Sequence, residues 1–136
     1  MKLMALKHLK HLKMQQEDRE MSLTIDEIYN SIGQNMVDNL PLEWSEAFIN
    51  VVRSASDALK LSGGYSSLDS DFNSFKFRNF DRRITDEFHD IYAIMTEEGD
   101  QHKWNRAKFK LTPDGKFSID FDWDQELADE VARLNS

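Results

Sequence analysis

The stretch from Trp104 to Asp124 reads WNRAKFKLTPDGKFSIDFDWD, and it constrains the fold more than any other part of the chain. Pro113-Asp114-Gly115 has the chemistry of a type I turn followed by a left-handed glycine, the three-residue hairpin loop. Pro113 presets the first turn dihedral, and Gly115 takes a positive φ without steric cost. With Thr112 opposite Lys116, Leu111 faces Phe117, Phe109 faces Ile119 and Ala107 faces Phe121 on one side. On the other side Lys110 faces Ser118, Lys108 faces Asp120 and Arg106 faces Asp122. One face is then apolar, and the other sets basic residues opposite acids. A slip of one residue would put Phe109, Ile119 and Phe121 in water, so the hydrophobic pattern selects this register.

The rest of the chain must supply a cover for that apolar face. Thr24 and Glu27 form a capping box, with Leu23 and Ile28 at the staple positions around it. The helix that follows puts Ile25, Ile28, Tyr29, Ile32 and Met36 on one side, and Pro41 stops it after Leu40. A second helix follows Asn79, with Ile84, Phe88, Ile91, Tyr92 and Met95 as its stripe and Gly99 where it would end. Asp124 caps a third, whose inner face is Leu127, Ala128, Val131 and Leu134. Residues 42–61 fit either a helix or a buried strand, since Phe48, Ile49, Val51 and Val52 are bulky or β-branched. Ser62 to Ser67, with two glycines, reads as a loop or turn. Asp71 to Arg78 reads as a strand with Phe75 and Phe77 on one side and Lys76 and Arg78 on the other.

The 136 residues suit one domain over 21–136, preceded by a basic extension over 1–20. In that extension Leu3, Leu6, Leu9 and Leu12 alternate with Lys7, Lys10 and Lys13, the pattern of a short amphipathic helix. Its lysines interrupt any signal-peptide core, so it reads as a loosely attached extension or as sequence ahead of a start at Met21. As a docking helix it would make the chain an oligomerising module. No cysteine is present, so neither disulfides nor thiolate chemistry is available, which fits a cytoplasmic setting. No apolar run reaches the length of a membrane span.

The net charge is −8, and the extension carries five Lys/Arg against three Asp/Glu. The body therefore holds 12 basic and 22 acidic residues. Such a body repels phosphates and suits a basic protein partner rather than nucleic acid.

Chemical motifs are sparse. Asp120-x-Asp122-x-Asp124-x-Glu126 resembles the start of a calcium loop, but Gln125 and Val131 stand where glycine and a bidentate glutamate are needed. Asp69-x-Asp71-x-Asn73 fails the same test at Ser74 and Phe80. The histidines at 8, 11, 89 and 102 have no zinc-site spacing. No P-loop, GxGxxG or GxSxG occurs, and no cofactor is expected. His89 with Asp86 or Asp90, or the acids from Asp120 to Glu126, are the candidates for a small enzyme or ligand-binding domain. The strand phenylalanines read as core packing rather than a base-stacking sheet. The remaining signal is an acidic surface: Glu126, Asp129 and Glu130 near the C-terminus, and Glu97, Glu98 and Asp100 after the second helix.

Pro41-Leu42-Glu43-Trp44 resembles the P-x-E-W segment after helix one in the YezG-like immunity proteins of bacterial polymorphic toxin and contact-dependent inhibition systems. Lys103–Leu111 and Gly115–Asp122, with GKFSIDFD, are similar to that family's closing hairpin. The likeness runs over about residues 24–124 and is thin over 54–78. It implies an α+β domain whose antiparallel sheet of four to five strands packs against helices, in the order α-β-β-β-α-β-β-α. It places a strand over 46–53. It also implies a non-enzymatic antitoxin that binds one cognate toxin domain, often a basic nuclease, one-to-one in the cytoplasm. The resemblance carries no binding residues; Glu126, Asp129, Glu130, Glu97, Glu98 and Asp100 are expected to meet the toxin on charge alone.

Overall fold

The structure, a computed structural model, describes residues 23–55 and 57–135. The expectations for residues 1–20 lie outside it. The first helix, α1 (Ile25–Val37), starts where the sequence says it should. Thr24 Oγ1 accepts the Glu27 N–H at 3.2 Å, and the Glu27 carboxylate accepts the Thr24 N–H at 2.9 Å. Leu23 packs on the core beside Ile28, as a staple should. The helix ends at Val37, short of Leu40, and the chain leaves through turns closed by Asn39 N–H to Met36 O and Leu40 N–H to Val37 O.

The ambiguous segment is extended. β1 (Glu46–Ala55) pairs antiparallel with β2 (Ala58–Ser66), and β3 (Phe72–Ser74) pairs with β2. After α2 (Arg83–Met95) come β4 (Arg106–Leu111), β5 (Phe117–Asp122) and α3 (Gln125–Leu134). The five strands form one antiparallel sheet in the order β3-β2-β1-β4-β5, so the fold is α+β with three helices among the described residues. None of these helices is long and apolar enough to cross a membrane.

The β4–β5 hairpin has the register read from its letters, from Leu111 opposite Phe117 to Arg106 opposite Asp122. Gly115 has φ 84°, and the Thr112 N–H closes the loop on Lys116 O at 3.0 Å. Docking β1 on β4 sets Ala47, Ile49 and Val51 beside Leu111, Phe109 and Ala107. Period-two alternation sends all six side chains to one face of the sheet, where all are buried. Ile28, Tyr29, Ile32 and Met36 of α1 and Ile84, Phe88 and Ile91 of α2 cover that face. Burying each large side chain contributes roughly 1.5–3 kcal/mol, so a register slip that exposed three of them would unfold the domain.

Ser62–Ser67 is not a loop through its length, because β2 runs on to Ser66. The glycines are there for close approach. A Cβ on Gly63, whose φ is +144°, would lie 2.2 Å from Phe48 O, and one on Gly64 would lie 2.1 Å from Asn73 O. The strand expected over 71–78 stops at Ser74. Phe75 then turns inward among Tyr65, Phe77 and Phe80, with ring centroids 5.8, 5.9 and 5.1 Å away. Phe72 departs from the core expectation: it is 55% exposed and stacks on Phe48 at 5.8 Å, on the side of the sheet away from α1 and α2. On α3 the cap is as expected, with Asp124 accepting the Leu127 N–H at 3.0 Å. Its inner face is only half-buried, and Leu134, expected inside, is 73% exposed in the last turn.

Polar groups fasten α1 to α2. The Asn35 side chain donates to Asp81 O and accepts the Asp81 N–H, both at 3.0 Å. Arg83 Nε donates to Ser31 Oγ at 2.9 Å and lies 3.7 Å from the Glu87 carboxylate. Glu87 is buried, and desolvation pushes its pKa up to about 7; the Ser31 hydroxyl and the Arg83 guanidinium pull the other way.

Candidate interaction surface

At the end of β5 the strand alternation that buries Phe117 and Ile119 would also turn Trp123 inward, but the sheet has run out. Trp123 therefore stays 36% exposed, between the sheet edge and α3. Its position is held. Trp123 Nε1 donates to Gln125 Oε1 at 2.9 Å, and Gln125 Nε2 donates to Asp129 Oδ1 at 2.9 Å. Lys103 Nζ stands 4.4 Å from the centroid of the indole. Trp104 contrasts with it. That ring is fully buried between Tyr92 and Phe121 and belongs to the core.

Two hollows adjoin here, and the indole lines the larger of them. One, of about 420 Å³, runs along the β5 edge past Asp120, Asp122 and Trp123 to His102 and Lys103. The other, of about 230 Å³, lies under the turn after α2 and is lined by Glu97, Glu98 and Gly99. Met95, Gln101 and His102 line both, so the two form one continuous surface. Gly99 permits that turn with φ +130°.

The structure sorts the expected acids. Glu97 and Glu98 line the smaller hollow. Asp100 opens the short 3-10 turn Asp100–His102 beside it but lines neither hollow. Asp129 joins the surface through Gln125. Glu126 and Glu130 are exposed on α3 and line neither hollow. Trp123, Gln125, His102 and Lys103 were missed by the charge argument. A signal for Trp123 existed in the letters: a large aromatic directly before a helix cap, with a glutamine two residues on.

The acid run Asp120 to Glu126 divides by role. Asp124 is structural: the Leu127 N–H, and after it Arg106, hold its carboxyl below the usual 3.8. Asp122 lies opposite Arg106 in the hairpin, yet the Arg106 guanidinium reaches Asp124, at 2.8 Å. The expected Arg106–Asp122 pairing thus holds for the backbone register but not for the ion pair. His89 is half-buried on α2 and lines neither hollow. Among the described residues no three metal-capable side chains gather.

The other face of the sheet has a different character. A depression of about 440 Å³ lies over Asn50, Val52 and Ser62, rimmed by Arg106, Lys108 and Asp120. Lys108 Nζ sits 4.8 Å from the Phe48 ring centroid, which leaves this face mixed in charge.

No family model matches the chain, and no curated protein matches it. The functional reading therefore stands on the residues and their geometry.

Proposed function

We propose that the protein is an immunity protein that binds a basic toxin domain one-to-one, in the cytoplasm of the cell that makes both, and occludes its substrate groove. The observation that carries this reading is the exposed, hydrogen-bonded Trp123, linked through Gln125 to Asp129 and lining a hollow that adjoins the one walled by Glu97 and Glu98. An aromatic anchor inside an anionic rim is the usual anatomy of a steered interface: the rim speeds encounter, and the buried ring slows dissociation. A nuclease must present cations to hold phosphates, so an acidic surface competes for the same groups. The resemblance of the Pro41–Trp44 segment and of GKFSIDFD to the YezG-like immunity proteins points the same way.

A small enzyme or ligand-binding domain built on His89 or on the Asp120–Glu126 acids would need a pocket that gathers several of these groups. His89 does not line the hollows that Asp120 and Asp122 line, which disfavours that reading.

The test is direct. The protein is mixed with the domain encoded immediately upstream, and the complex is measured by light scattering and calorimetry. A one-to-one complex that abolishes the domain's toxicity is expected. Failure to bind that domain sinks the proposal.

A further inference from the structure

We propose that the face of the Trp123 indole on which Lys103 stands is the seat for an arginine guanidinium of the partner, and that Lys103 holds this seat in the free protein. The inference deepens the function proposed above and rests on its premise that the partner is basic. Acidic residues alone would not define such a seat; the indole does.

Trp123 is 36% exposed, one of the large hydrophobic residues left outside the core. Its Nε1–H donates to Gln125, whose amide donates in turn to Asp129. A ring that merely filled space at a sheet end would not need its Nε1–H steered by a two-member relay. A cation already stands on it, since the Lys103 ammonium at 4.4 Å lies within the roughly 6 Å at which a cation is drawn to an aromatic face. The hollow beside the ring, about 420 Å³, has room for a further side chain.

Arginine suits this seat better than lysine. A guanidinium is planar, stacks flat on an indole, is weakly hydrated, and can fork to a carboxylate while stacked. The Lys103 ammonium is compact and strongly hydrated, on a flexible stem, so an incoming guanidinium displaces it at little cost. Lys103 is then a placeholder. It keeps the ring covered in the free protein and yields to the partner, and removing it should tighten binding although the partner is basic.

The experiment uses the full chain labelled with nitrogen-15, titrated at low salt with hexa-arginine and, separately, hexa-lysine. The three tryptophan indole N–H signals are followed, with Trp123 identified by the signal lost in Trp123→Phe. Expected is a shift of the Trp123 signal with Trp104 unmoved, and hexa-arginine binding about fivefold tighter than hexa-lysine. Lys103→Met should tighten hexa-arginine binding about threefold, and Trp123→Leu should abolish the preference for arginine. An unmoved Trp123 signal, weaker binding by Lys103→Met, or an unchanged arginine preference in Trp123→Leu each overturns the proposal. Lys103→Met alters only an exposed side chain, so it decides the matter even if Trp123→Leu folds poorly. If the peptides behave as expected but the upstream-encoded domain does not bind, the immunity reading falls and the seat stands. If that domain binds Trp123→Leu as well as the native chain, the seat falls and the immunity reading stands.

Discussion

The Arg106 guanidinium reaches past Asp122, its partner across the hairpin, and bonds Asp124 at 2.8 Å. The other Asp124 oxygen accepts the Leu127 N–H at 3.0 Å. One carboxylate therefore ties the hairpin to α3, and α3 carries Gln125 and Asp129, which orient Trp123.

Asp124→Ala should loosen α3 and lower the thermal midpoint by about 3–6 °C, the usual effect of losing a helix cap in a domain of this size. The pH dependence has a defined sign. The Asp124 carboxyl titrates below 3.8 in the folded protein, chiefly through the Leu127 N–H and then through Arg106. Its contribution is thus present above the unfolded value and is lost as the pH falls below it. Amide exchange in α3, followed as the pH is lowered, should show this helix loosening in the native chain. In Asp124→Ala it should already be loose at neutral pH.

Glu87 has the opposite sign. Its folded pKa is raised from 4.5 to about 7, so the folded state holds the proton more tightly than the unfolded chain. Stability from this group is complete below 4.5 and falls as the pH rises toward about 7. Glu87→Gln should remove that slope. The variant should gain on the native chain as the pH rises across the window, by an amount on the order of 3 kcal/mol at its upper end. Urea unfolding of both proteins at a series of pH values measures the difference. A constant gap across the window would refute the buried-carboxyl account.

Gly63 and Gly64 are neighbours with different consequences. A Cβ on Gly63 would meet Phe48 O, between β1 and β2, at a backbone φ of +144°. Gly63→Ala should therefore cost about 3 kcal/mol or more in chemical unfolding. A Cβ on Gly64 would meet Asn73 O on the short edge strand β3. Gly64→Ala should free β3, visible as faster exchange of the Phe75 amide bonded to Gly63 O, while β1, β4 and β5 keep their protection.

Charge reversal separates the acids by position. Glu97→Lys with Glu98→Lys, or Asp129→Lys, should slow association with the upstream-encoded toxin domain about tenfold at low salt, with the deficit shrinking as salt rises. Glu130→Lys, which lies on α3 and lines neither hollow, should change the rate about twofold at most. Stopped-flow association rates at two salt concentrations read both.

The letters alone determined the β4–β5 register, the Thr24–Glu27 box, the α2 stripe and the Asp124 cap. Each rests on contacts between residues close in sequence, where periodicity and turn chemistry decide. The state of residues 46–66 did not follow from the residues themselves. Apolar β-branched runs suit either structure, and two glycines look like a turn until a carbonyl from another strand is seen to occupy the space of their missing side chains. The candidate surface divides in the same way. Glu97, Glu98 and Asp129 were legible as charge. Their relation to Trp123 was decided only when the sheet ended at Asp122, leaving an aromatic with core alternation at the surface, bonded through Gln125 to Asp129 and lining a hollow that adjoins the one walled by Glu97 and Glu98.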